Sequence, residues 1–153
     1  SKIQQIFADK PNRELEAEEG YSEQCINGVL IKLGIMGEKG AEDIVDISNY
    51  VIQNDVNLNQ VTIRELCSRF TDNPKAMEQR IRRTISMAMS NIANLGIEDY
   101  MNEIFVEFYN ILFNFEQVRK EMEYIRGKGK KGGSVNIKRF LAGLTSYCEN
   151  INN

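Results

Sequence analysis

Between Thr62 and Asn94 the sequence spells a short helix, a hard break and a long helix, in that order. Thr62 with Glu65 three residues on has the form of a capping box, in which hydroxyl and carboxylate each satisfy a free backbone amide. The apolar residues Ile63, Leu66, Cys67 and Phe70 then recur at helical spacing, which predicts a helix over 63–70. Thr71-Asp72-Asn73-Pro74 stops it, because Asp and Asn favour turns and Pro fits a first helical turn. A second helix is predicted from Lys75 to about Asn94, closed by a C-cap at Leu95-Gly96. At about 100° per residue, Met77, Ile81, Ile85, Ala88 and Ile92 fall in one stripe about 80° wide, the face that must be buried. Two helices around a turn of three or four residues is the helix-turn-helix arrangement, whose second helix can enter a DNA major groove.

The rest of the chain reads as helices too. Residues 1–21 are polar and acidic, broken by Lys10-Pro11-Asn12 and followed by Glu14, Glu16, Glu18 and Glu19, as in a linker or N-terminal arm. Ser22 is placed to cap a helix through Ile26, Val29, Leu30 and Leu33, stopped by Gly34. Gly37-Glu38-Lys39-Gly40 is a loop, and Ile44, Ile47, Val51 and Ile52 mark a helix over about 41–53. Asn54 to Gln60 is a polar turn. Further helices are predicted over 98–108, 115–125 and 137–150, with a glycine- and lysine-rich loop at 127–133. No strand alternation and no internal repeat is evident. The expected fold is an all-α helical bundle over 22–153 that contains a helix-turn-helix at about 62–94.

Several function classes fall away on residue type. The chain has no His and no Trp, which removes the commonest general base, the Ser–His and Cys–His pairs and histidine metal sites. It carries no P-loop, GxGxxG or HExxH, so neither an enzyme nor a bound cofactor is expected. Cys25, Cys67 and Cys148 are odd in number, far apart and set in helical patterns, which predicts reduced thiols packed as small hydrophobes and hence a cytoplasmic protein. No apolar run approaches the roughly 18 residues a membrane span needs. The start at Ser1, without Met, reads as a piece cut from a longer protein.

The net charge of −3 argues against a polyanionic partner only until it is resolved along the chain. Residues 1–63 carry −6, residues 64–83 carry +3, residues 84–118 carry −5 and residues 119–139 carry +6. Affinity for nucleic acid follows the field of one face more than the total. On the long helix, Lys75, Gln79, Arg82, Arg83, Ser86 and Ser90 lie opposite the apolar stripe, flanked by Glu78 and Arg80. Arg reads guanine and Gln reads adenine through paired hydrogen bonds, while Lys and Arg neutralise phosphates. Thr71, Asn73 and the helix's first amides suit a phosphate, and Arg64 and Arg69 suit the flanking backbone. A basic solvent face opposite an apolar stripe is also common on ordinary helices, so periodicity alone leaves both uses open. Lys128, Lys130 and Lys131, with Arg126, Lys138 and Arg139 nearby, form a second basic island, either a salt-dependent DNA contact or a solvated loop. Tyr100, Phe105, Phe108, Tyr109, Phe113 and Phe115 sit at helical spacings expected of a core, with a share of that surface open to a homodimer contact.

The stretch Ile26 to Met89 resembles the C-terminal effector domain of the sporulation master response regulator of endospore-forming bacteria. The likeness is carried by Leu33-Gly34-Ile35, Lys39-Gly40, Glu65-Leu66-Cys67-Ser68-Arg69-Phe70 and Met77-Glu78-Gln79-Arg80-Ile81-Arg82-Arg83-Thr84-Ile85. Three further stretches resemble the YcbB-type effector domain, which sits behind a receiver domain in two-component regulators linked to glutamine use. These are Asn94 to Tyr100, Leu112-Phe113-Asn114-Phe115, and Ile125 through Gly133 with Val135 to Phe140. The YcbB likeness covers most of 22–145 and implies a response-regulator output domain that binds double-stranded DNA and regulates transcription. In the sporulation regulator a Glu and Arg residues of the reading helix touch DNA. Glu78 and Arg82 match those positions, and Gln79 stands where that family has an arginine, which implies a different target sequence. The alternative is a helical interaction module that docks a signalling or transcription partner without touching DNA.

Overall fold

The computed structural model describes residues 20–151, and among these the regular structure is helical, with no strand. The arm expected over 1–21 lies outside the described residues as far as Glu19, while Gly20 and Tyr21 already belong to the first helix, α1, at 20–32. Ser22 is therefore buried within a helix, not at its cap. At the far end Ile35 donates to the Leu30 carbonyl and Gly34 to that of Ile31, each at 3.0 Å. Gly34 sits at φ +73, the left-handed corner that this double-bonded ending requires and that glycine enters without strain.

Helix α2 spans Ala41–Gln53, and a 3-10 turn at Leu58–Gln60 leads into α3, Ile63–Cys67. The capping box forms as its spacing requires: Glu65 N–H donates to Thr62 Oγ1 at 3.0 Å, and Thr62 N–H to Glu65 Oε2 at 3.4 Å. Yet α3 ends three residues before the predicted Phe70. Arg69 and Phe70 donate to carbonyls only three residues back, at 3.2 and 2.9 Å, and such bonds tighten and close a last turn. Phe70 is swung out of the core and is 41% exposed, its ring edge-on to Tyr50.

Helix α4, Pro74–Glu98, is the axis of the molecule and packs against α2, α3, α5, α6 and α7. Met77, Ile81, Ile85, Ala88 and Ile92 are all buried, as the stripe demands, and so are Thr84, Met89, Ala93 and Gly96. The buried arc is wider than one stripe because neighbours flank α4 on both sides. Each fully buried Ile or Met contributes about 1.5–3 kcal/mol. Gly96 does not end the helix: a Cβ there would strike the Phe105 ring, so glycine serves the close approach of the next helix. The stop comes at Asp99, which turns extended and accepts from Met101 N–H at 2.9 Å. As a result α5 covers only Glu103–Phe108, with Asn102 as its cap, instead of starting at Glu98. Helix α6, Phe115–Ile125, and helix α7, Ile137–Ile151, follow.

The expectation of three reduced thiols is overturned. Cys25 on α1 and Cys148 on α7 form a disulfide that spans 123 positions, with Cα atoms 5.6 Å apart. Wide spacing in sequence is no bar to pairing once the fold sets the first and last helices side by side. Cys67, the last residue of α3, is the free cysteine and is buried, and desolvation pushes its thiol up to about 11. With Cys25 and Cys148 paired, cysteine usage no longer argues for a reducing compartment.

Candidate nucleic-acid interface

Lys75, Gln79, Arg82, Arg83 and Ser86 are exposed along α4, opposite the buried stripe. Their placement follows from helical geometry once Met77, Ile81 and Ile85 are fixed in the core. The side chains of Lys75, Gln79 and Arg83 make no hydrogen bond or ion pair with any other described residue. Arg82 is partly engaged: its guanidinium lies 3.7 Å from Glu78 Oε1 and donates to the Val135 carbonyl at 3.5 Å. Glu78 also receives Arg64 Nε from α3 at 3.2 Å, so one carboxylate holds two arginines from two helices.

Other members of the expected contact set turn elsewhere. Arg80 makes a two-pronged contact with Asp43 of α2, at 2.9 and 3.3 Å. Arg69 lies over the Tyr50 ring, 5.1 Å from its centroid. Asn73 is the α4 cap, accepting from Ala76 N–H at 3.3 Å, and Thr71 Oγ1 accepts from Asn73 N–H at 3.1 Å. These two polar side chains therefore serve the turn itself.

The glycine- and lysine-rich loop begins at Gly127, φ +78, where α6 closes with Lys128 N–H donating to the Glu123 carbonyl at 2.9 Å. Its far end is pinned. Glu121 accepts from Ser90 Oγ at 2.6 Å through one oxygen and from Gly133 N–H at 3.0 Å through the other. Gln117 Oε1 accepts from Ser134 N–H at 2.9 Å. A Cβ on Gly133 would run into the Gln117 carbonyl and the Met89 sulfur. Gly133 consequently shares one depression with Arg82, Arg83, Ser86 and Ser90, so the end of the loop abuts the outward face of α4. Lys128, Lys130 and Lys131 are exposed, with no ion pair to a described residue.

A YcbB domain model matches residues 25–144. The chain belongs to the YcbB domain family. Over 134 residues it is 28% identical to the transcriptional regulatory protein GlnL of Bacillus subtilis (strain 168), covering 74% of this chain. The chain spans 43% of that relative's length. No solved structure matches it at a significant level.

In this YcbB domain the aromatic cluster is only partly core. Phe105, Phe108 and Phe113 are buried, whereas Tyr100 and Phe115 are exposed and line a groove of about 480 Å³ between α5 and α6, with Tyr109 and Met122. Phe115 opens α6 beside its Asn114 cap, where the outer side faces solvent. Among the described residues there is no group of acidic or cysteine side chains arranged for a metal ion, and no helix long and apolar enough to cross a membrane. The Glu121 bridge carries no signal in the sequence, since a Glu among the basic residues of 119–139 marks nothing until its two partners are placed.

Proposed function

We propose that this YcbB domain binds double-stranded DNA as the output domain of a two-component response regulator, with α3 and α4 acting as a helix-turn-helix. The observation that carries the proposal is the outward face of α4, where the side chains of Lys75, Gln79 and Arg83 project with no partner among the described residues. From Lys75 to Arg83 is about 12 Å of helix, matching the width of a major groove. The transcriptional role in the relative's name supports the same use. The receiver domain belongs to the longer protein in this proposal, and pairing of two copies on adjacent half-sites follows from how such regulators bind.

Within the contact set, Gln79 and Arg83 read bases, and Lys75, Lys128, Lys130 and Lys131 neutralise phosphates. Glu78 acts by holding Arg64 and Arg82 in place. Arg69 and Arg80 are left to the fold. Selection of bound fragments from genomic DNA tests the proposal: the domain should enrich a shared sequence, with binding that weakens steeply as salt rises. Enrichment of no sequence, together with capture of a protein partner through the same face, would establish the helical interaction module instead.

A further inference from the structure

Beside the outward face of α4 lies an open cleft of about 570 Å³, walled by Thr62, Arg64, Glu78, Arg82, Asn136 and Lys138 among others. Its walls come from three parts of the chain far apart in sequence: the start of α3, the first half of α4 and the first turn of α7. Arg64, Arg82 and Lys138 supply three cations. Glu78 is the one carboxylate among the lining residues, and it is already shared between Arg64 and Arg82. Lys138 has no ion pair with a described residue. The cleft therefore keeps an excess of positive charge, in hydrogen-bond donors that tetrahedral oxyanions accept.

The neighbouring residue sharpens the point. Arg139 turns away and donates to the Asn110 carbonyl at 3.1 Å, so the first turn of α7 offers the cleft one of its two cations. Arg82 lines both this cleft and the depression that holds Arg83, which makes the cleft a continuation of the surface assigned to DNA. Ile63, Val135 and Ile137 also line the cleft, and the charge of its polar wall, three cations against one carboxylate, suits an anion.

We propose that Arg64, Arg82 and Lys138 together seat one backbone phosphate of the bound duplex, with Lys138 as a sequence-independent contact that fixes the register of α4. The proposal rests on the DNA-binding function above. A phosphodiester oxygen carries no base information, so this contact positions and does not select.

The test compares Lys138→Gln with Arg139→Gln, each checked for an unchanged helical spectrum, against the selected duplex and a scrambled duplex over a salt series. Arg64 and Arg82 are both tied to Glu78, so Lys138 is the cation of the three left to neutralise the phosphate, and its loss should lower the slope of log K against log salt by about 0.9. Lys138→Gln should show that drop and weaken both duplexes by the same factor, while Arg139→Gln keeps the wild-type slope. An unchanged slope in Lys138→Gln, with wild type still binding, would overturn the phosphate seat alone. So would a changed preference between the two duplexes, which would make Lys138 a base reader. Failure of wild type to bind either duplex would instead overturn the DNA-binding function, and the seat with it.

Discussion

Arg80 and Asp43 meet through two hydrogen bonds, 2.9 and 3.3 Å, that lock the second turn of α4 onto α2. The pair separates the arginines of α4 by task, since Arg80 is held inside the fold while Arg83 is left to solvent. Two charge-assisted bonds in a partly buried setting are worth more than a surface ion pair. Asp43→Asn should destabilise the domain by about 1–2 kcal/mol, measured by urea unfolding. Its effect on DNA affinity under native conditions should be small, because no groove-facing side chain is altered. A large loss of affinity with unchanged stability would place Arg80 on the DNA instead.

The Cys25–Cys148 bridge closes nearly the whole described chain into one loop. A cross-link over so long a loop restricts the unfolded ensemble strongly, so its reduction should cost about 2–5 kcal/mol. Denaturant unfolding with and without reductant reads this directly. Thiol titration of the unfolded protein should give one thiol before reduction and three after it. Cys67 should react slowly while folded, since burial raises its thiol to about 11 and only the thiolate is nucleophilic. The same shift has a defined sign: a thiol raised in the folded state favours folding below its unfolded value, near 9, and that contribution is lost as pH climbs towards 11.

Gly133→Ala separates the loop from the helix face. A methyl group there meets the Gln117 backbone and Met89, so the Glu121–Gly133 bond must open or α6 must shift. Overpacking of this kind costs about 1–3 kcal/mol. The variant should unfold at lower denaturant and should expose the 127–133 segment to limited proteolysis. Stability and cleavage equal to wild type would show that the loop end is not held against α4.

How much of this was legible in the sequence follows from the range of the forces involved. The Thr62–Glu65 box, the Asn73-Pro74 start and the Met77–Ile92 stripe are set by residues within a turn or two of one another, and the structure keeps all three. Gly96 misled because a glycine near the end of a periodic run looks like a cap, and only the approach of Phe105 gives it its real task. Cys25 with Cys148, Arg80 with Asp43, and Glu121 with Ser90 and Gly133 are tertiary pairings. Each side chain alone has no periodicity or spacing that announces its partner. The candidate face of α4 was legible because it is the complement of the core stripe. The division of its cations between fold and solvent was not.

Binding of a fluorescent selected duplex by wild type and by the double variant Gln79→Ala/Arg83→Ala tests the central claim most directly. Both residues are exposed and without partners among the described residues, so their removal should leave the unfolding midpoint unchanged. Each paired base contact is worth about 1–3 kcal/mol, and loss of two should weaken the selected duplex roughly 30-fold or more while the scrambled duplex changes far less. A folded double variant that binds the selected duplex as tightly as wild type would contradict the assignment of α4 as the reading helix.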